Sequence, residues 1–187
     1  MNVLPAIETP RLTLRWLEDT DVPALFEIFS DAEVTRYWSS PALEDEDAAR
    51  SLLDHIRESF TRGSLYQWGL ALRDDDLIVG TCTLGSISRE HRRAELGYAL
   101  GRAHWGRGYM TEALPILLRY AFGEMGLHRI EGDVDPRNDR SIRSLERLGF
   151  KLEGNLRQRY FVNGETQDTA FFGLLRDDVL FDLESRR

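Results

Sequence analysis

Apolar and polar positions along this chain repeat at two periods, and the switches between them divide it into elements. Arg11-Leu12-Thr13-Leu14-Arg15-Trp16 alternates at period two and predicts a first strand. Asp19-Thr20-Asp21 supplies helix caps, and Leu25, Ile28 and Phe29 recur at helical spacing behind them. A short helix is expected over Ala32 to Tyr37, broken by Trp38-Ser39-Ser40-Pro41. Glu44-Asp45-Glu46-Asp47 places acid at the start of a longer helix, where the dipole favours it; Leu52, Leu53, Ile56 and Phe60 carry its apolar face to Gly63. Three strands follow at Tyr66 to Leu72, Leu77 to Ser88 and Arg92 to Leu100, and their short polar connections predict antiparallel hairpins.

The third of these strands has two unequal faces. Ala94, Leu96, Tyr98 and Leu100 share one; Glu95, Gly97 and Ala99 share the other, a single carboxylate beside positions with almost no side chain. Trp105-Gly106-Arg107-Gly108-Tyr109-Met110 comes next and opens a helix with Leu114, Leu117, Leu118, Ala121 and Phe122 on one face and Pro115 inside it, where a kink is expected. A glycine-rich turn opening a helix aims main-chain N–H groups at one point and favours an anion there. His128 to Val134 reads as a strand that follows a crossover helix, so its pairing should be parallel. Asn138 can cap a helix whose core residues are Ile142, Leu145 and Leu148 and whose end is Gly149. Phe150 to Leu175 reads as two strands around Asn163-Gly164. The pattern is one α/β domain over residues 1–187, its core from about 7 to 175, with a mixed, largely antiparallel sheet of about seven strands flanked by about four helices.

Composition narrows the function class. An apolar fraction of 42% and a charged fraction of 30% in 187 residues belong to a folded chain, and no apolar run approaches the roughly 18 residues of a membrane span. A net charge of −8 argues against direct nucleic acid binding. Cys82, the single cysteine, lies in an apolar run and is expected in the core. The four histidines are scattered, so no metal site is expected. The N-terminus lacks the basic and apolar segments of a secretion signal, which predicts a cytoplasmic protein.

This order of elements, with the glycine turn after the fourth strand, resembles the GNAT acetyltransferases. Ala94-Glu95-Leu96-Gly97-Tyr98 followed by Trp105 to Ala113 is similar to the RimJ/RimL branch, the ribosomal-protein N-terminal acetyltransferases and their relatives. Asn138-Asp139-Arg140-Ser141-Ile142 leading to Leu148-Gly149-Phe150, and the opening Thr9-Pro10-Arg11-Leu12-Thr13-Leu14-Arg15, extend the resemblance over nearly the whole chain. Three positions depart from the general pattern. Trp105 and Met110 occupy the ends of the glycine loop, and Leu145 stands where many of these enzymes carry a tyrosine acid.

The resemblance implies an acetyl-CoA site. Main-chain N–H groups of Gly106, Arg107, Gly108, Tyr109 and Met110, with Trp105 at the edge of the loop, would hold the pyrophosphate. The backbone of Tyr98, Ala99 and Leu100 would pair with pantetheine as an added strand. Asn138 is expected beside pantetheine. Ser141 is expected at the sulfur, as the group that assists the departing CoA thiolate. Glu95 is the candidate base, because an amine attacks a thioester only when neutral and arrives as an ammonium ion; the competing reading pairs it with Arg92 or Arg93 on the surface. Tyr37, Trp38 and Trp68 are the candidate acceptor pocket.

The implied reaction is direct acetyl transfer to a primary amine in a ternary complex, with a protein N-terminal α-amine, of ribosomal-protein type, favoured as acceptor. A small amine (polyamine, amino acid or antibiotic) is the alternative within the enzyme class. A non-catalytic acetyl-CoA-binding regulatory module is the alternative outside it. A homodimer is compatible with the sequence and argued by no feature of it.

Overall fold

The structure is a computed structural model and describes residues 3–182. Eight strands form one sheet: β1 (Ile7–Glu8), β2 (Leu12–Arg15), β3 (Tyr66–Leu72), β4 (Ile78–Ser88), β5 (Arg93–Leu100), β6 (Arg129–Val134), β7 (Lys151–Val162) and β8 (Glu165–Leu175). Their spatial order is β1-β2-β3-β4-β5-β6-β8-β7, antiparallel throughout except for the parallel pair β5–β6. Five helices pack around the sheet: α1 (Val22–Ser30), α2 (Ala32–Thr35), α3 (Glu46–Thr61), α4 (Tyr109–Phe122) and α5 (Asp139–Leu148). The two-residue β1, which pairs Ile7 with Leu14, lies beyond the sequence reading, and the expected helix over Ala32–Tyr37 is present as the single turn α2.

Local chemistry accounts for the boundaries. Asp45 caps α3 by accepting from Ala48 N, and Asn138 caps α5 by accepting from Ser141 N. Gly149 closes α5 in the left-handed conformation, with φ of 99°. Asn163 and Gly164, at φ of 50° and 84°, make the two-residue hairpin turn that matches strand twist between β7 and β8. α4 runs unbroken through Pro115.

Each face of the sheet buries its own apolar cluster. Leu70, Cys82, Leu84, Ala94 and Leu96 pack under Leu114, Leu117, Leu118 and Phe122 of α4 and Leu145 and Leu148 of α5. On the opposite face Ala71, Ile78 and Ala99 meet Leu25, Ile28 and Phe29 of α1 and Leu53 and Ile56 of α3. Cys82 is fully buried, and burial raises its thiol pKa far beyond the neutral range, so it stays protonated and packs as a small hydrophobe.

The feature that positions a site is a parting of strands. β5 and β6 pair only at Arg93–Arg129, Ala94–Ile130 and Glu95–Glu131. Beyond that point β5 runs on beside β4, pairing through Leu100 with Gly80, and β6 runs on beside β8, pairing through Val134 with Ala170. A cleft therefore opens in the middle of the sheet, one wall of it the β5 edge from Leu96 onward.

Candidate active site

The glycine turn sits at the end of this cleft. Gly106 and Gly108 have φ of 74° and 79°, values that L side chains rarely adopt, and a Cβ on Gly106 would meet open space. The first main-chain bond of α4 runs from Glu112 N to Gly108 O, 3.2 Å, so the N–H groups that precede it at the helix start are free of helical partners. With the positive end of the helix dipole they form a cradle for an anion.

The turn is tied down from outside. Thr9 Oγ1 and Arg11 N donate to Glu112 Oε1 at 2.5 and 2.8 Å, and Arg11 Nε donates to Oε2 at 2.7 Å. Burial works against the Glu112 charge, but these bonds outweigh it and hold the carboxyl below its ordinary value. Arg11 also donates to Arg107 O at 2.9 Å and lies 4.8 Å from the Tyr109 ring centre. Trp105 Nε1 donates to Leu100 O at 2.7 Å, fastening the turn to the end of β5, while its ring lies 4.9 Å beneath the Arg140 guanidinium. Met110 packs against the apolar core, which explains how a bulky residue fits this loop.

A cavity of about 410 Å³ fills the gap between β5 and β6. It brings together six of the residues singled out in the sequence: Tyr37, Trp38, Glu95, Tyr98, Asn138 and Ser141. Glu95 is half-buried and its carboxylate accepts from Ser86 Oγ at 3.3 Å, the one hydrogen bond of that side chain among the described residues. Burial raises its carboxyl pKa, as do the charges of Asp133 and Glu131, against smaller lowering by Ser86 and Arg159. The competing ion-pair reading does not hold: Arg93 binds Glu131 at 2.7 Å, and Arg92 Nε donates to Gly126 O at 2.9 Å.

Trp68 is a correction. It is fully buried, donates from Nε1 to Pro5 O at 2.9 Å, and packs edge-on against Tyr120 of α4 in the core, away from the cavity lining. Alternation along β3 turns its neighbour Gln67 to the cavity instead. Leu145 also lines the cavity as an apolar wall, so α5 offers no tyrosine there.

The rest of the lining comes from residues the sequence reading missed. Asp133 is nearly buried, accepts from Tyr160 at 2.9 Å and pairs with Arg159 at 3.1 Å. Asp135 is held by Arg137 at 2.6 Å; its burial opposes the charge, but the guanidinium prevails and its pKa is lowered. A bulge in β7 between Leu156 and Tyr160 turns Arg159 toward β6, and Asp168 steadies that bulge by accepting from Gln158 N at 2.8 Å. One signal for Asp133 lay in the sequence: Arg129, Glu131 and Asp133 put three charges on one face of an interior strand. Nothing comparable marked Tyr160 or Asp168.

Sequence comparison agrees with this architecture. Residues 11–151 match the family model described as an acetyltransferase (GNAT) domain. The chain is 37% identical over 173 residues to the uncharacterized N-acetyltransferase p20 of Bacillus licheniformis, a match covering 92% of this chain and 97% of that one. It is 29% identical over 180 residues to the [ribosomal protein uS5]-alanine N-acetyltransferase of Escherichia coli, covering 92% and 91%. Among solved structures, spermidine N-acetyltransferase from Vibrio cholerae, crystallised with CoA and spermine, superposes with a TM-score of 0.81 at 25% identity, covering 91% of this chain and 99% of that one. A sheet that parts between β5 and β6, a glycine turn at the head of α4 and these matches over most of the chain place the protein in the GNAT acetyltransferase family, as an N-acetyltransferase.

Proposed function

We propose that the protein transfers acetyl from acetyl-CoA directly to a primary amine, and that the acceptor is the N-terminal α-amine of a protein. The observation that carries the reading is the position of Glu95: a half-buried carboxylate with a raised pKa, one hydrogen bond and no bound arginine, in the cleft that β5 shares with the anion cradle. Acetyl-CoA supplies the activated acyl group. The fit rests on this chain's own features, the left-handed glycines of the turn and the β5 edge from Leu96 to Leu100 that β6 leaves unpaired. The turn residues 106–110 hold the pyrophosphate through N–H groups, and the backbone of Tyr98, Ala99 and Leu100 pairs with pantetheine. Asn138 stands beside it at the α5 cap, and Ser141 faces the sulfur.

Glu95 accepts the proton of the incoming ammonium, directly or through one water, and frees the lone pair for attack on the thioester. An α-amine, with a pKa of about 7.7–8, asks less of a single carboxylate than a lysine at about 10.4. The likeness to an enzyme named for a ribosomal-protein alanine supports the same acceptor class. Nothing supports an acetyl-enzyme, since Cys82 is sealed in the core.

One observation favours a second acceptor. Glu95 and Asp168 line the cavity with no ion pair among the described residues, beside Asp133 and Asp135, which Arg159 and Arg137 hold, and none of the lining residues is itself Lys, Arg or His. Such a wall suits a polyamine, the acceptor class in the name of the Vibrio cholerae neighbour, and repels amino acids that carry a free carboxylate. Assaying CoA release with N-terminal peptides, spermidine and single amines decides between them. Turnover of peptides over spermidine supports the primary reading, and the reverse order replaces it. Tight acetyl-CoA binding with no turnover of any amine leaves only a binding module.

A further inference from the structure

Serine and threonine hydroxyls on the helices here mostly turn back on their own backbone. Ser51, Thr61 and Ser144 each donate to the carbonyl four residues earlier, at 2.9, 3.0 and 2.9 Å. Ser141 does something else. Its N–H is bound by the Asn138 cap, and its Oγ lies 2.7 Å from the Tyr98 hydroxyl across the cleft floor.

We propose that Tyr98 is a positioning residue for acetyl transfer: its hydroxyl donates to Ser141 Oγ and so leaves the serine hydrogen directed at the thioester sulfur. This rests on the reading above that Ser141 meets the sulfur. The donor direction follows from chemistry. A phenol is a far stronger acid than an aliphatic alcohol, and Tyr98 is partly buried, with desolvation raising its pKa and favouring the neutral, proton-bearing form. Two other acceptors are near: the Ser141 carbonyl at 3.4 Å, a poorer length for an O–H donor, and the Ser144 hydroxyl, whose own hydrogen goes to Arg140 O; the 2.7 Å contact to Ser141 Oγ is the short one.

A hydroxyl that accepts a bond from a phenol becomes a better donor itself, because successive hydrogen bonds polarise one another. Negative charge grows on sulfur as the carbon–sulfur bond breaks and its electron pair moves there. The two-link chain from Tyr98 through Ser141 is already aligned at that moment, so little reorganisation is needed. Neither hydroxyl has to lose its proton; the thiol proton comes from the amine nitrogen, which sheds it as the amide forms. The arrangement also answers the substitution at Leu145. The α5 position that carries a tyrosine in many relatives is apolar here, and the tyrosine hydroxyl reaches α5 from β5 instead.

The test is a double-mutant cycle on the full chain with Tyr98→Phe, Ser141→Ala and the pair, each first checked for an unchanged thermal melting profile. For each protein kcat and the acetyl-CoA KM are measured, and the affinities for CoA and desulfo-CoA are compared by calorimetry. We expect Ser141→Ala to lower kcat about 100-fold and Tyr98→Phe about tenfold, with KM within twofold and the double variant no slower than Ser141→Ala. The preference for CoA over desulfo-CoA should shrink in Tyr98→Phe and vanish in Ser141→Ala. If Ser141→Ala turns over like the wild type, the sulfur reading of Ser141 is wrong. If Ser141→Ala is slow while Tyr98→Phe matches the wild type, or if the two losses multiply in the pair, Ser141 stands and the role of Tyr98 is overturned.

Discussion

The two halves of the cleft are built from different materials. The half we assign to acetyl-CoA, the donor half, consists of main chain: the unpaired β5 edge, the glycine turn and the start of α4, within residues 96–112. The half we assign to the amine, the acceptor half, consists of side chains from distant parts of the chain, with Tyr37 and Trp38 after α2, Gln67 on β3, Asp133 on β6, Tyr160 on β7 and Asp168 on β8. Recognition by main chain requires particular residues at fixed spacing, because only glycine holds the turn at positive φ without strain. Recognition by side chains requires only that strands deliver them to one place, and many sequences can do that. The donor half can thus stay constant while acceptors vary.

That comparison can be broken at several points. The largest expected effect is at Glu95, where the halves meet. Glu95→Gln should lower kcat with any amine by about 10²–10⁴-fold and leave the acetyl-CoA Kd unchanged in calorimetry. A parallel loss of acetyl-CoA affinity would make Glu95 part of the donor half. Next is the turn itself. Gly108→Val forces a β-branched residue to a φ of 79°, at a cost of about 1–2 kcal/mol. The acetyl-CoA Kd should rise about tenfold, with the acceptor KM little changed.

Smaller effects are expected in the acceptor half. Asp133→Asn removes one of the charges that raise the Glu95 pKa. A carboxylate base works only when deprotonated, so kcat/KM falls as pH drops through that pKa. Removing Asp133's charge lowers the pKa, and the acid limb should move to lower pH while the KM for a cationic acceptor rises about threefold to tenfold. The smallest functional effect is at Trp68. Trp68→Phe should leave kcat and both KM values unchanged and lower Tm by about 2–8 °C, through loss of the bond to Pro5 O and of packing. A rise in acceptor KM would return Trp68 to the pocket.

The same contrast explains what the sequence disclosed. The alternation of β5, the glycine turn, the Asn138 cap and the Asn163-Gly164 hairpin are local rules, and each is realised where the sequence placed it. Glu95 came with the alternation of β5, the roles of Tyr98, Asn138 and Ser141 came with the family resemblance, and all four converge on one cavity. The acceptor wall depends on pairing between remote strands and on a β7 bulge with Gln158 at φ of 51°, which no local pattern announces. Trp68 shows the penalty of choosing by residue type. Aromatic character suggested a pocket, but strand parity decided the matter and turned Gln67 to the cleft instead.

The central claim is that Glu95 takes the proton from the bound ammonium, and the pH dependence of kcat/KM with an N-terminal peptide tests it most directly. In the wild type the acid limb should follow the Glu95 carboxyl, whose pKa burial raises from its ordinary value. In Glu95→Gln, with no base to receive the proton, the limb should move up to the pKa of the amine itself, about 7.7–8. A variant whose limb stays at the wild-type pH would contradict the account.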